Sequence, residues 1–161
     1  MVDVREASPS EMGAVRDIFA EYIRSIAHLA ASSFAHQRVD EELQTLPGRY
    51  GPPGGTVVLA WEAGACVGCV ALRPLDGAET CELKRMYVRP SHRRTGLGRR
   101  LADAALSRAR EMGYRTVKLD NQPDKNVRIE VVQGGVNPAR KKDGFAPIAI
   151  ERTRDTGLSH K

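Results

Sequence analysis

The chain has 161 residues, of which 41% are hydrophobic and 28% are charged, values typical of a single soluble globular domain. Its sequence holds no apolar run approaching the roughly 20 residues that a membrane span requires, and its first residues lack a signal-peptide pattern. Composition therefore argues against a membrane or secreted protein, and we expect a cytoplasmic one.

The net charge of +5 is unevenly distributed. Residues 1–82 carry 6 basic and 12 acidic side chains, residues 83–120 carry 11 and 3, and residues 121–161 carry 8 and 5. The strongly basic middle segment suits a polyanionic ligand, either a nucleic acid or a phosphorylated small molecule. The sequence contains no recognisable nucleic-acid-binding module and no series of stacking aromatic residues, which favours the small molecule.

The 3 cysteines cannot all pair with one another. Cys66 and Cys69 are three residues apart in a strand-like segment, so we expect their side chains on opposite faces of a sheet. Neither these cysteines nor the 4 histidines show the spacing of a zinc site. We therefore expect no metal, and small buried thiols, Cys81 included, in a reducing compartment.

The N-terminal part of the chain predicts a strand and two helices. Residues 2–6 alternate as a strand does, and Ser8-Pro9-Ser10-Glu11 has the pattern of a helix-capping box with proline at the first helical position. Apolar side chains at helical spacing extend this helix to the high twenties. A loop is predicted over residues 30–34, and a shorter helix over residues 39–46, ended by Pro47-Gly48.

The middle of the chain predicts three strands, a helix and a fourth strand. Residues 56–61 and 66–72 form a hairpin, and residues 80–88 form the next strand. A helix is predicted over residues 97–112, because apolar side chains recur at helical spacing and Gly113 is a suitable C-cap. The last strand of this region covers residues 114–120.

The segment Arg93-Arg94-Thr95-Gly96-Leu97-Gly98 joins the strand over residues 80–88 to this helix. The first turn of a helix has N–H groups without intrahelical acceptors and a partial positive charge, so an anion can bind there. Gly96 and Gly98 permit a positive φ or a close approach of the backbone to a phosphate. The Walker pattern is absent, and Leu101 occupies the third glycine position of the dinucleotide-binding pattern.

The spacing Arg-x-x-Gly-x-Gly, after a strand that ends Tyr87-Val88-Arg89-Pro90, resembles motif A of the GNAT superfamily of acetyl-CoA-dependent N-acyltransferases. The resemblance extends from about residue 2 to residue 120. It implies one α/β (α+β) domain over residues 1–161, with a mixed, mostly antiparallel central sheet flanked by helices. Residues 121–161 would be a divergent or partly irregular end of this domain.

The resemblance also implies the reaction, in which an amine directly attacks acetyl-CoA as co-substrate. The coenzyme-binding residues that it implies are Met86, Val88, Arg93, Arg94, Thr95, Gly96, Leu97, Gly98, Arg99 and Asn121. The amine belongs to a small molecule or a peptide, and neither a nucleic acid nor a membrane is expected as a partner. A homodimer is common among such folds and is left open.

Glu82 is the candidate general base, because some members of the superfamily place a glutamate at a similar offset on this strand. The alternative is a structural glutamate paired with a neighbouring arginine. Direct attack requires no covalent enzyme intermediate, so Cys81 is interpreted as structural.

Residues 121–161 depart from the family pattern, which has a helix after the fifth strand and a tyrosine four residues before a Gly-Phe pair. Gly144-Phe145 matches the pair, but Arg140 stands at the tyrosine position and no tyrosine follows Tyr114. Residues 145–150 are a candidate sixth strand, and no seventh is predicted. In the family this tyrosine is the acid that protonates the coenzyme thiolate, and its absence leaves a coenzyme-binding module with weak or no catalysis as one alternative to an active enzyme. The basic segment over residues 83–120 leaves a nucleic-acid-binding protein as another.

Overall fold

A computed structural model of the protein describes residues 1–27, 33–75, 79–120, 126–130 and 149–152. The strands are β1 Asp3–Glu6, β2 Thr56–Glu62, β3 Ala65–Pro74, β4 Thr80–Val88, β5 Thr116–Asp120, β6 Asn126–Glu130 and β7 Ala149–Arg152. The α-helices are α1 Met12–Ser25, α2 Ser33–Gln44 and α3 Leu97–Glu111.

The strands form one seven-stranded sheet in the order of the chain. Every neighbouring pair is antiparallel except β4 and β5, which are parallel and are connected through α3. A parallel connection requires a crossover, and here α3 provides it. The predicted fold class, a mixed and mostly antiparallel sheet flanked by helices, is confirmed.

Helices cover both faces of the sheet. On the α3 side the buried core includes Val58, Val70, Leu72, Leu83, Leu101 and Ala105. On the α1 side it includes Val15, Ile18, Phe19, Val57, Leu59 and Ala71. Because β2 and β3 are buried on both faces, their sequences are nearly continuous apolar runs rather than alternating ones.

The start of α1 confirms the predicted capping box. The Ser8 N–H donates to Glu11 Oε2 at 2.8 Å, and a short 3-10 turn over Pro9–Glu11 leads into the helix. The second helix begins at Ser33, so the predicted loop is wrong at residues 33 and 34, while residues 30–32 lie outside the described part. Apolar periodicity begins only at Val39, and a helix can extend beyond its apolar stripe where the residues are adequate helix formers.

The β2–β3 hairpin turns at Ala63 and Gly64, whose φ angles are 49° and 77°, as in a two-residue hairpin turn that matches the strand twist. Ala60 lies opposite Gly68, but Trp61 lies opposite Cys66, so β3 contains one extra residue there. This bulge shifts the alternation of side chains. Cys66 therefore packs beside Cys69 against the α1 core, and the prediction that they point to opposite faces is wrong.

The last two strands differ from the prediction. Residues 126–130 form β6, where the family resemblance implied a helix after Asp120, and the candidate strand over residues 145–150 overlaps β7, the seventh strand, rather than a sixth. The alternation Asn-Val-Arg-Ile-Glu in β6 is a strand signal, and it outweighs the helix that the family resemblance implied. Among the helices that the structure describes, none has the length and apolar character needed to cross a membrane.

Candidate active site

Strand β4 pairs with β5 over only part of its length. In the parallel register Thr80 lies opposite Thr116 and Leu83 opposite Leu119, and β4 continues to Val88. Beyond Leu83, none of the described strands pairs with β4 on the side that faces away from β3. Residues 84–88 therefore form a free edge. Unpaired backbone N–H and C=O groups along a strand edge can bind an extended ligand that carries amide groups.

A β-bulge interrupts β4 at the point where it leaves β5. Cys69 lies opposite Tyr87 and Ala71 opposite Lys84, so β4 has one residue more than β3 in this interval. Arg85 has a φ of 58°, a left-handed conformation that is uncommon for a residue with a side chain. Such a bulge bends its strand and increases the local twist, which turns the free edge of β4 away from β5.

The free edge leads directly to the N-terminus of α3. Gly96 is the N-cap of this helix, with a φ of 83°, and no side chain caps the helix. The Arg100 N–H donates to the Gly96 carbonyl oxygen at 3.1 Å, so the N–H groups of Leu97, Gly98 and Arg99 precede the first intrahelical bond. Helix geometry leaves these groups without an intrahelical acceptor, so an anion can bind there.

The two glycines of this turn serve different purposes. Gly96 requires its positive φ, since a side chain there would be strained. A Cβ built on Gly98 would contact only Val88 Cγ2, at 3.9 Å, an ordinary contact distance. Packing within the protein therefore does not demand glycine at position 98, whereas a phosphate brought against the backbone would.

The four arginines near the turn separate into two pairs. Arg93 Nε donates to the Val88 carbonyl oxygen at 2.9 Å, and its guanidinium lies 5.7 Å from the centroid of the Tyr87 ring. Arg100 donates to the Val2 carbonyl oxygen at 2.9 Å. Arg94 and Arg99 are exposed, and Arg99 Nε lies 4.0 Å from Asp103 Oδ2, at the limit of an ion pair. The charge of both arginines is therefore available to an anion at the turn.

A hydrogen-bonded chain holds the start of the turn against β2. His92 Nε2 binds the Glu62 carboxylate, and His92 Nδ1 lies 2.8 Å from the Ser91 hydroxyl oxygen. The Thr95 hydroxyl donates to the His92 carbonyl oxygen at 2.6 Å. The hydrogen bond from His92 holds the pKa of Glu62 below its usual range. The sequence gives no signal for this contact, because Glu62 and His92 are distant in the chain.

Glu82 lies on β4 and is 6% exposed. Arg73 Nε donates to Glu82 Oε2 at 2.9 Å, and Lys84 Nζ lies 3.9 Å from Glu82 Oε1. The arginine pairing given above as the alternative for this residue is thus present. A paired carboxylate can also accept a proton, so the role of Glu82 as general base stays a prediction.

The remaining candidate residues are placed as follows. Cys81 is fully buried in the α3 core, where burial raises its pKa to about 12 and keeps it as a thiol at neutral pH. The side chains of Met86 and Val88 pack against the same core, which leaves their backbone groups on β4 for binding. Asn121 lies outside the described residues. The described part of the chain shows no group of three or more His, Cys, Asp or Glu that could hold a metal.

Comparison with known sequences assigns the family. The model of the acetyltransferase (GNAT) family matches residues 19–130. An uncharacterised N-acetyltransferase of Schizosaccharomyces pombe is 34% identical over 113 residues, which cover 70% of this chain and 67% of the relative. The uncharacterised N-acetyltransferase YjgM of Escherichia coli is 32% identical over 115 residues, which cover 70% of this chain and 65% of YjgM. The chain belongs to the GNAT acetyltransferase family.

Solved structures agree with this assignment at the level of the fold. A GNAT acetyltransferase of Staphylococcus aureus superimposes with a TM-score of 0.60 at 21% identity, over 74% of this chain and 73% of the other. A GNAT acetyltransferase of Brucella melitensis in complex with acetyl-CoA has a TM-score of 0.58 at 19% identity, over 76% and 77%. The predicted class, an acyl-CoA-dependent N-acetyltransferase, is confirmed at the level of the family.

The matches do not extend over the whole of each protein. The alignments span about two thirds of the two curated relatives, and the family model ends at residue 130. The family match thus includes β4, the turn and α3. It also extends over the first ten residues of the segment 121–161 that was predicted to be divergent, and excludes residues 131–161.

Proposed function

We propose that this chain binds acetyl-CoA along the free edge of β4 and at the N-terminus of α3, and transfers the acetyl group to an amine. The observation that carries the proposal is the continuity of these two features. The edge over residues 84–88 can bind the amide groups of the pantetheine arm through the backbone of Met86 and Val88. The turn over residues 93–99 can bind the diphosphate.

The residues of the turn would make different contacts with the diphosphate. The N–H groups of Leu97, Gly98 and Arg99 would donate to the diphosphate, and Arg94 and Arg99 would add charge. Thr95 would contribute its backbone N–H, because its hydroxyl already donates to the His92 carbonyl oxygen. Arg93 would stabilise the turn that forms the site, since its Nε already donates to the Val88 carbonyl oxygen. We include Asn121 from the family resemblance alone.

The chemistry needs little from the protein beyond positioning and one proton acceptor. The amine nitrogen attacks the thioester carbonyl carbon, a C–N bond forms, and the C–S bond breaks. We assign Glu82 to accept the proton that leaves the nitrogen, directly or through water. The departing thiolate of a group with a pKa of roughly 8.5 needs less assistance than an alkoxide would, which is compatible with the missing family tyrosine.

The proposal also covers the acceptor and the cellular location. The acceptor is a small-molecule or peptide amine, and the protein acts in the cytoplasm. Support for a reducing compartment comes from Cys66, Cys69 and Cys81, which are all free thiols and two of which are buried, as is usual for cytosolic proteins.

The test is an amine panel with two readouts. Thermal unfolding with and without acetyl-CoA reports binding, and release of free thiol from acetyl-CoA reports transfer to small amines, peptide N-termini or lysine peptides. We expect both a higher Tm and amine-dependent thiol release. Binding without thiol release in the presence of any amine would favour the coenzyme-binding module. The missing tyrosine and the Arg73–Glu82 pair are also consistent with that alternative. No shift in Tm would refute the proposed coenzyme site.

A further inference from the structure

Arg85 joins the β4 bulge to α2. Its Nε donates to Glu42 Oε1 at 3.2 Å, and its Nη2 donates to Glu42 Oε2, which is a bidentate arrangement. The two side chains are 17% and 19% exposed. A bidentate, largely buried pair is geometrically more specific than a surface ion pair.

Glu42 has a second partner that orients it. Its side chain is hydrogen-bonded to that of Tyr50, a residue that is 4% exposed and packs edge-on against Phe19 of α1. Burial by itself raises the pKa of Glu42, but the hydrogen bonds from Arg85 and Tyr50 outweigh it and hold the pKa below its usual range. Glu42 is therefore an anion at neutral pH.

The backbone of Arg85 is also held. The Cys69 thiol donates to the Arg85 carbonyl oxygen at 3.0 Å, and burial raises the pKa of Cys69 so that the thiol keeps its proton. The bulge is thus fixed through its side chain by α2 and through its carbonyl group by β3. These contacts offset the cost of a left-handed conformation at a residue other than glycine.

We propose that the Glu42–Arg85 pair is a positioning device for acyl transfer, which holds the β4 bulge and thereby the edge over residues 84–88 that presents the acyl group. This inference rests on the proposed function. The diphosphate binds at the turn after β4, so the pair should affect the acyl end of the coenzyme much more than its affinity. Glu42 and Arg85 are positioning residues and need not contact the reacting atoms.

Three variants and one control test the inference. Glu42→Gln removes the charge with little change of shape. Arg85→Gly removes the guanidinium while permitting the positive φ, and the double variant tests whether the two act as a unit. Glu11→Gln is the control, because Glu11, at the N-cap of α1, also forms a bidentate pair with an arginine, Arg5, at 2.7 and 3.0 Å.

We expect each single variant to lower kcat at least tenfold, with the Kd for acetyl-CoA changed less than threefold and with the double variant no worse than the singles. Glu11→Gln should lower Tm but leave kcat within twofold. A kcat within twofold of wild type in folded Glu42→Gln would overturn the inference. So would kcat and affinity that fall together, which would indicate a merely structural pair.

Amide hydrogen exchange keeps the inference testable if the wild-type protein acetylates no amine in the panel. We expect the backbone amides of residues 84–88 to exchange at least tenfold faster in Glu42→Gln than in Glu11→Gln. The amides of β2 and β3 should be equally protected in the two variants. Equal exchange in the two variants would show that the pair does not hold the bulge. The failure of the proposed function and the failure of this inference therefore give different results.

Discussion

Arg73 on β3 and Glu82 on β4 lie opposite each other in the antiparallel register, and the Arg73 guanidinium donates to the Glu82 carboxylate at 2.9 Å. The pair places an oriented carboxylate one residue before Leu83, the last residue of β4 that pairs with β5, and so next to the edge of β4 that becomes free. Its geometry allows both a structural and a catalytic role. Substitution of Glu82 separates the two.

Glu82→Gln should lower kcat about a hundredfold, within the range for loss of a general base. The Kd for acetyl-CoA should change less than threefold, because the diphosphate site does not involve Glu82. Steady-state kinetics with a responsive amine and calorimetric titration with acetyl-CoA measure the two quantities. A variant with a lower Tm but normal kcat would show that Glu82 serves only its pair with Arg73.

Gly98→Ala should have opposite effects on stability and on binding. Alanine at the second residue of α3 favours the helix by roughly 0.5–1 kcal/mol and meets only Val88, at 3.9 Å. We therefore expect an unchanged or higher Tm without ligand and an affinity for acetyl-CoA that is at least tenfold weaker.

Gly13→Ala is the matched control for this measurement. Gly13 is the second residue of α1, and a Cβ there meets nothing within 4 Å. This substitution should raise Tm similarly and leave the affinity unchanged. Equal affinities of both variants for acetyl-CoA would argue against coenzyme binding at the α3 turn.

Acid should destabilise the protein partly through Glu11. Hydrogen bonds from Arg5 and the Ser8 backbone lower the pKa of Glu11 from 4.5 to about 2 in the folded state. The stabilisation is therefore complete above the unfolded pKa of 4.5 and is lost as the pH falls toward 2. Urea unfolding of wild type and Glu11→Gln at pH 6, 4 and 3 measures it, and the difference in free energy of unfolding should shrink toward low pH. A difference that is independent of pH would contradict this assignment.

Cys81 should be dispensable for catalysis. Its thiol is 0% exposed and has a pKa raised to about 12 by burial, so very little thiolate is present at neutral pH. We expect Cys81→Ala to retain kcat within twofold and Cys81 to resist alkylation until the protein is unfolded in urea. An acetylated Cys81, detected by mass spectrometry after incubation with acetyl-CoA, would instead indicate a covalent intermediate.

Local sequence patterns predicted the part of the molecule that holds the candidate coenzyme site. Strand β4, the turn over residues 93–98 and helix α3 were each predicted nearly to their observed ends, because strand alternation, glycine spacing and helical periodicity depend on near neighbours in the chain. The capping box at Ser8 is local in the same way. The candidate anion site at Gly96 follows from the succession of strand, turn and helix.

Tertiary structure decided the features that depend on residues far apart in the chain. The extra residue in β3 brings Cys66 to the same face as Cys69, and the bulge in β4 places Arg85 at a positive φ, although neither bulge has a signal in its own segment. The Glu42–Arg85 and Glu62–His92 contacts join residues 43 and 30 positions apart. Such contacts arise from the register of the sheet and the packing of α2 on it, which no local pattern of side chains specifies.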